Sequence, residues 1–191
     1  MTAMDLVTRV IDALEALHIP YMVVGAFSVN VYGRPRSTED ADFVIELGDT
    51  PVSSLVGELG GDFVLDPQLS FETVTATSRY RLDHKNSLFL VELFLLSEDP
   101  HDRERFARRS EGDIGGRRVF VPTAEDVIIT KLRWSRQGQR AKDSEDVLNV
   151  LKVQAGRLDY DYIRRWCDRH GTRSLFEALF VESQRFQQEN L

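Results

Sequence analysis

The spacing of apolar residues along the chain changes several times, and each spacing predicts a different element. Between Leu6 and Leu17 they recur at intervals of three and four, which predicts an amphipathic helix ending near His18. Runs of apolar residues, or a looser alternation, predict five strands: 21–24, 40–47, 71–82, 88–96 and 117–121. Short helices are predicted between them, at 26–32, 51–59 and 100–109.

The pattern after residue 121 is helical throughout. Thr123 followed three positions later by Asp126 predicts a capped helix start. Further apolar periodicity predicts helices at 127–136, 143–153, 159–170 and 173–187. We therefore predict two regions, an α/β core over 1–121 and a helical carboxy-terminal region over 122–191 that packs on it.

Composition narrows the class of protein. The chain has 191 residues, of which 42% are hydrophobic, so it can bury a core as one domain or one domain with a small appendage. Its single cysteine, Cys167, excludes an intramolecular disulfide and a cysteine-rich zinc site. A formal charge of −7 argues against a protein that coats nucleic acid by general electrostatics, although arginine clusters leave a local basic groove open.

The start of the chain shows no targeting signal. Residues 1–5 lack the basic and apolar parts of a signal peptide, and no apolar run approaches the length of a membrane span. We expect a cytoplasmic protein with no membrane partner.

Asp40 and Asp42 stand two residues apart at the start of the predicted strand 40–47. Side chains with this spacing point to the same face of a strand, so both carboxylates can bind one divalent cation. Such a pair is also common as surface decoration at a strand edge. Nearby residues favour a metal-dependent phosphate site.

Glu92 lies inside the apolar strand 88–96, which we expect to be buried on both faces. An unpaired carboxylate there is costly unless a cation meets it or a proton neutralises it. A metal ion shared with the aspartate pair would provide that cation. The alternatives are an ion pair with an arginine such as Arg79 or Arg81, or an exposed position.

Gly25 forms a turn between the predicted strand 21–24 and helix 26–32. The amino terminus of a helix presents free backbone N–H groups and the positive end of its dipole, which suits a polyphosphate. A glycine followed by the small Ala26 also lets a ligand approach the backbone closely. A single glycine after a strand is equally compatible with an ordinary turn.

Arg36 and Thr38 come just before the aspartate pair. Arg36 can bind phosphate through two parallel hydrogen bonds, or it can pair with Glu39 or Asp40 to hold the loop. The Thr38 hydroxyl can fix the loop or contact a phosphate oxygen.

Residues 24–42, VGAFSVNVYGRPRSTEDAD, resemble the nucleotidyltransferase superfamily, the polymerase-beta-like fold. The pattern of that group is a Gly-Gly or Gly-Ser turn followed by a strand with Asp-x-Asp. The stretch is especially similar to small bacterial members related to AbiEii-type toxin nucleotidyltransferases. Residues 121–132, VPTAEDVIITKL, and 140–147, RAKDSEDV, are similar to the Pro-x-x-Glu-Asp helix with its lysine and to the later Arg-x-x-Asp element.

This resemblance implies an α+β fold, with a nucleotidyltransferase-like mixed β-sheet flanked by helices and followed by a helical region. It implies Mg²⁺, or alternatively Mn²⁺, held by Asp40, Asp42 and Glu92. The lysine and the later aspartate of the motifs correspond to Lys131 and Asp143, which would join the catalytic set. The implied nucleotide-binding residues are Gly25, Ala26, Ser28, Arg36 and Thr38.

Three positions depart from the expected pattern or allow a second interpretation. Ala26 stands where the group often has glycine or serine, and Ser28 is offset from the position needed to replace that hydroxyl. The third carboxylate is a glutamate, Glu92, rather than the more usual aspartate. Lys131 can point inward as a charge for phosphate or lie on the surface with its stem on apolar residues. These departures leave a second interpretation, a degenerate site that binds a nucleotide without catalysis or binds nothing.

The implied activity is transfer of a nucleoside monophosphate from a nucleoside triphosphate to an acceptor hydroxyl, with two metal ions at the reacting phosphate. The implied acceptor is RNA such as tRNA, a protein or a small molecule. The resemblance also makes the chain a candidate toxin of a toxin–antitoxin pair, with an antitoxin as its partner. One alternative is a catalytically inactive binding protein or antitoxin partner with this fold. Another is an aminoglycoside-type adenylyltransferase, which predicts an acidic pocket for a polycationic acceptor.

Overall fold

The computed structural model describes residues 2–138 and 141–189. The helices are α1 Ala3–Ala16, α2 Gly25–Tyr32, α3 Val52–Leu59, α4 Pro100–Ala107, α5 Ala124–Gly138, α6 Ala141–Val153, α7 Tyr160–His170 and α8 Arg173–Glu189. The strands are β1 Tyr21–Val24, β2 Asp40–Ile45, β3 Phe63–Leu65, β4 Ser70–Glu72, β5 Thr77–His84, β6 Leu90–Leu95, β7 Ser110–Ile114 and β8 Arg117–Val121.

The chain forms two compact units. The first contains Met1–Phe27 and Ser37–Val121, and the second contains Ser28–Arg36 and Pro122–Leu191. Most of α2 and the loop after it thus belong to the second unit, together with the carboxy-terminal helices. The predicted mixed sheet with helices, followed by a helical region, is confirmed.

A six-stranded sheet is the centre of the first unit. Its strand order is β1-β2-β6-β5-β3, and β4 also pairs with β5. The β2–β6 pair is parallel and the other pairs are antiparallel. The middle strands bury large apolar side chains, among them Phe43, Ile45 and Leu93, so β2 and β6 are fixed firmly beside each other.

The second unit is built on a separate apolar cluster. Val29 from α2 packs in this cluster with residues of α5, α6, α7 and α8, including the fully buried Ile128 and Phe176. The Thr123 hydroxyl accepts a hydrogen bond from the Asp126 backbone N–H at 3.3 Å, as the capping pattern predicts. Asp159 caps α7 in the same way, and Gly171 ends that helix in the left-handed conformation.

Two strand predictions differ from the structure. The predicted strand 71–82 is a hairpin, because β4 ends at Glu72 and the turn contains Ala76 with a φ of 54° before β5 begins. Glu72 stabilises that turn by accepting hydrogen bonds from the backbone of Val74 and Thr75. The predicted strand 88–96 is shorter than expected, and Leu88 before it is 96% exposed.

The strands β3 and β7 were not predicted. Both are short, and β7 carries a glycine and charged residues instead of an apolar run, so pairing with β8 across a tight turn defines it. Among the helices that the structure describes, none is long and apolar enough to cross a bilayer.

Candidate active site

The first unit places three of the predicted site residues on one face of its sheet. Asp42 on β2 lies directly opposite Glu92 on β6 in the parallel register. Opposed residues on neighbouring strands share a face, and Asp40 shares it too because it stands two positions before Asp42. We call Asp40, Asp42 and Glu92 the carboxylate face.

Gly25 and Asp42 are in direct contact at the point where β1 passes into α2. Gly25 has a φ of +62°, and a Cβ added to it would lie 1.9 Å from Oδ2 of Asp42. Only glycine satisfies both conditions, because other residues resist this φ and would displace the carboxylate. The Asp42 carboxylate therefore lies against the first residue of α2, where the helix dipole favours negative charge.

Glu92 is paired with an arginine. Nη1 of Arg79 lies 3.1 Å from Oε1 and 3.2 Å from Oε2 of Glu92. The guanidinium of Arg79 also stands over the ring of Phe94, 5.5 Å from its centroid. Arg79 was one of the two arginines that the sequence offered as partners, and the other, Arg81, pairs with Asp83 instead.

The Glu92 side chain is 19% exposed and that of Arg79 is 31% exposed. Glu92 is thus less deeply buried than the apolar run around it predicted. Water screens part of the attraction between the two groups, so this pair is not a deeply buried ion pair. The free energy needed to separate Arg79 from Glu92, so that another cation can bind Glu92, is therefore lower than it would be in a dry interior.

Thr38 fixes the beginning of β2. Its hydroxyl donates to Oδ1 of Asp40 and lies 3.3 Å from the Asp40 carbonyl oxygen. Of the two roles that the sequence allowed for Thr38, the contacts favour stabilising the loop and orienting the Asp40 carboxylate.

The carboxylate face fits magnesium in the type of its donors and in the sheet face that they share. All three residues offer oxygen, the ligand atom that Mg²⁺ prefers, and they project from adjacent positions of two paired strands. In the part of the chain that the structure describes, the three residues do not bring one carboxylate oxygen each to within 4.8 Å of one another. Asp40 and Asp42 could hold such an ion, and Glu92 could join them only after leaving Arg79.

A second group of predicted residues lies in the second unit. Arg36 binds Asp146 through two hydrogen bonds, Nε to Oδ1 and Nη2 to Oδ2, both at 3.1 Å. Nζ of Lys131 lies 2.9 Å from Oδ1 of Asp143 and 2.9 Å from Oδ2 of Asp146. We call Arg36, Lys131, Asp143 and Asp146 the ion network.

The loop before β2 is held through the backbone N–H and carbonyl groups of Arg36, which both bind the Asn30 side chain. The backbone N–H of Arg36 donates to Oδ1 of Asn30 at 3.0 Å, and Nδ2 of Asn30 donates to the Arg36 carbonyl at 2.9 Å. Arg36 therefore holds the loop, as one interpretation of the sequence proposed, but its partner is Asp146 rather than Glu39 or Asp40. This arrangement uses the paired N–H groups that the other interpretation assigned to a phosphate.

Asp146 is the residue that the sequence reasoning missed. Its side chain is only 3% exposed. Burial alone would raise the pKa of this carboxyl, but hydrogen bonds and charge attraction from Arg36 and Lys131 hold the pKa below its ordinary value of 3.8. A signal was present, because Asp146 follows Asp143 by three positions and shares its helix face.

Ala26 and Ser28 are both buried in α2. Ala26 is 6% exposed and Ser28 is 2% exposed, so each contributes to packing in its own unit. Lys131 is 15% exposed and ion-paired, which does not fit the surface interpretation of this lysine. Arg140, which opens the later Arg-x-x-Asp element, lies outside the described residues.

No family model and no curated protein matches the chain. Its fold does match solved structures. ANT(2'')-Ia in complex with adenylyl-2''-tobramycin matches with a TM-score of 0.63 and 15% identity over 89% of this chain and 97% of that chain. An antigenic nucleotidyltransferase-like protein from Paracoccidioides brasiliensis matches with a TM-score of 0.53 and 18% identity, covering 92% of this chain and 91% of that one.

The lincosamide antibiotic adenylyltransferase LnuA, bound to lincomycin, matches with a TM-score of 0.50 and 13% identity over 78% of this chain and 96% of that chain. These neighbours confirm the nucleotidyltransferase-like fold. At such identities the likeness establishes the fold alone. The closer relation to AbiEii-type toxins stays a prediction.

Proposed function

We propose that the protein is a magnesium-dependent nucleotidyltransferase. In the proposed reaction, the oxygen of an acceptor hydroxyl forms a bond to the α-phosphorus of a nucleoside triphosphate. The bond from that phosphorus to the bridging oxygen breaks, pyrophosphate leaves, and the hydroxyl proton passes to a base or to solvent. The observation that carries the proposal is the Asp42 carboxylate seated on Gly25, with Asp40 and Glu92 on the same sheet face.

The roles follow from these positions. Asp40 and Asp42 are the proposed metal ligands, and Thr38 orients the first of them. The turn at Gly25 and Ala26 supplies backbone N–H groups for phosphate oxygens. Magnesium, when bound, would neutralise charge on the triphosphate and favour departure of pyrophosphate.

The ion network has a different proposed role. Arg36 and Lys131 are both occupied by Asp146, and Lys131 also by Asp143. We assign these four residues to positioning, because each cation is already neutralised by a carboxylate. Ser28, buried in the same unit, belongs with them rather than with direct phosphate contacts.

Two groups of acceptors deserve testing. The solved neighbours include an antibiotic adenylyltransferase bound to lincomycin and a complex with adenylyl-2''-tobramycin, which makes small-molecule hydroxyls candidates. The resemblance to toxin nucleotidyltransferases makes RNA, such as tRNA, or a protein the other candidate. In that second case an antitoxin is the expected partner of this chain.

The test is incubation of the purified chain with each of the four nucleoside triphosphates, labelled at the α-phosphate, with Mg²⁺ or Mn²⁺. The acceptors are bulk tRNA, a protein extract, an aminoglycoside and a lincosamide. We expect label transfer and pyrophosphate release from one combination, reduced at least about a hundredfold in Asp42→Asn because charge stabilisation at a reacting phosphate is lost. Asp49→Asn is the matched control, because Asp49 is exposed in the loop after the same strand.

The second candidate function is a catalytically inactive binding protein with this fold. The observation that favours it is the Arg79–Glu92 ion pair, which occupies the third carboxylate. This candidate predicts no transfer with any acceptor, whether or not a nucleotide binds. If the wild-type chain binds neither Mg²⁺ nor any nucleoside triphosphate, the transferase proposal fails and the binding protein stands.

A further inference from the structure

Three arginines surround a cavity in the second unit that the proposed reaction does not use. The cavity has a volume of about 460 Å³ and is lined by Arg133, Arg136, Gln137, Arg169 and His170. The first three occupy neighbouring positions on one face of α5, because residues three and four apart on a helix lie side by side. The last two end α7. We call this cavity the arginine pocket.

The guanidinium of Arg136 is held at the carboxy-terminal end of α7. Its Nη1 donates a hydrogen bond to the carbonyl oxygen of His170 at the end of α7. A Cβ on Gly171 would lie 2.3 Å from that same nitrogen, and Gly171 has a φ of +65°. Glycine at this position thus allows both the left-handed end of α7 and the close approach of the guanidinium.

Arg169 is also held in place. Its guanidinium carbon lies 4.9 Å from the centre of the Trp166 ring, and the rings of Trp166 and His170 are stacked at 5.4 Å. A guanidinium stacked on an aromatic ring keeps its N–H groups available at its edges. The cavity wall therefore presents an oriented donor rather than a freely moving side chain.

The acidic residue next to Arg169 has its partner outside the pocket. Asp168 precedes Arg169 in the chain, but its carboxylate pairs with Arg173 at 2.9 Å. Within residues 2–138 and 141–189, the contacts of Arg136 and Arg169 are a carbonyl oxygen and a ring, and neither contact carries a negative charge. Both guanidinium groups can therefore bind an anion, although the chain carries a formal charge of −7.

We propose that the arginine pocket binds the phosphate groups of a nucleotide or of an RNA chain. Phosphate oxygens match the paired N–H groups of guanidinium, and the Gln137 amide adds a further donor. A polycationic ligand such as an aminoglycoside is excluded from this cavity by like charge. The proposal does not depend on transferase activity and stands on the second unit alone.

The test measures binding of inorganic tripolyphosphate by calorimetry in the presence of EDTA. EDTA removes divalent cations that could otherwise link tripolyphosphate to the carboxylate face. We expect Arg169→Gln to weaken binding about tenfold, because the variant loses the charge-assisted hydrogen bonds of one guanidinium group. The double variant Arg133→Gln/Arg169→Gln should lose binding further. Arg165→Gln is the matched control, because Arg165 is exposed on the same helix but does not line the pocket.

Two further ligands distinguish the source of the phosphate. ATP bound as tightly as a twelve-nucleotide single-stranded RNA identifies the nucleotide as the ligand, whereas RNA bound at least tenfold more tightly identifies the polynucleotide. For RNA, the double variant should reduce the slope of log affinity against log salt by about 1.4, at about 0.7 for each lost contact. Circular dichroism and thermal unfolding of every variant check that the fold is retained.

Absence of tripolyphosphate binding to the wild type, or equal binding by the wild type and both pocket variants, would overturn the proposal. Asp42→Asn should bind tripolyphosphate in EDTA like the wild type even though it lacks transfer activity. Failure of the pocket and failure of the transferase are therefore separate results.

Discussion

The carboxylate face and the ion network contain similar residues in opposite electrostatic situations. In the ion network two carboxylates meet two cations, and the side chains of Asp143 and Asp146 are 6% and 3% exposed. On the carboxylate face three acidic residues meet one arginine, and that pair is partly hydrated. Balanced, buried charges thus stabilise one structure, whereas an excess of one charge on an accessible face is available for a ligand.

The largest effect that separates the two regions is expected from Asp146→Ala. This change leaves Arg36 without its carboxylate partner and leaves Lys131 with Asp143 alone. We expect the free energy of unfolding, measured in urea at pH 7, to fall by about 3 kcal/mol.

Glu145→Ala is the control, because Glu145 is exposed on the same helix. Its cost should stay within about 0.5 kcal/mol. Equal losses in the two variants would show that the ion network has no special structural role.

The stability that the ion network contributes should depend on pH through the ionisation of Asp146. The pKa of Asp146 in the folded state lies below 3.8, its ordinary value in an unfolded chain. Its stabilising contribution is therefore complete above about pH 4 to 5 and disappears as the pH falls through the folded-state pKa.

Urea unfolding of the wild type and Asp146→Asn between pH 7 and pH 3 measures this contribution. The difference in stability between the two proteins should be constant at neutral pH and should shrink below about pH 4. A difference that does not change across this range would contradict the assigned pKa direction.

Gly25→Ala is expected to have an intermediate effect on stability and a large effect on the carboxylate face. The new Cβ meets Oδ2 of Asp42 at 1.9 Å, and the φ of +62° is unfavourable for alanine. We expect a loss of about 1 to 2 kcal/mol from the backbone conformation and a further loss from displacing the carboxylate.

Gly48→Ala isolates the first of these costs. Gly48 has a φ of +54°, and a Cβ there would have no neighbour within 4 Å. The difference between the two alanine variants in urea unfolding and in Mn²⁺ binding measures the contact with Asp42. If both variants lose the same stability and bind Mn²⁺ equally, that contact is unimportant.

The smallest stability change is expected from Arg79→Gln. The Arg79–Glu92 pair is partly exposed, so its removal should change the free energy of unfolding by less than about 1 kcal/mol. Mn²⁺ should bind several-fold more tightly, because Glu92 is released to join Asp40 and Asp42 as a ligand.

Arg81→Gln is the matched control, because Arg81 lies opposite Glu92 in the β5–β6 register but pairs with Asp83. Mn²⁺ affinity should not rise in that variant. Unchanged affinity in both variants would mean that Glu92 is not a ligand, and it would favour the inactive binding protein.

Local pattern was enough to predict most elements of the chain. The strand 21–24 was predicted at its observed bounds, and the helices at 159–170 and 173–187 match α7 and α8 closely. Caps and apolar periodicity act over a few residues, so they can be recognised without tertiary information. The short strands β3 and β7 could not be recognised in this way, because pairing with β5 and β8 defines them.

The sequence by itself placed Asp40 and Asp42 on one face of β2 through period two, and it singled out Glu92 within an apolar strand. The pairing of β2 with β6, which brings Glu92 opposite Asp42, is a property of the folded sheet. Only the tertiary structure decided the partners of the charged groups. Arg36 is 110 residues from Asp146 in the chain, and Arg79 is 13 residues from Glu92. Which cation neutralises a buried carboxylate depends on distances of a few ångströms between separate elements, and these distances arise only when the chain folds.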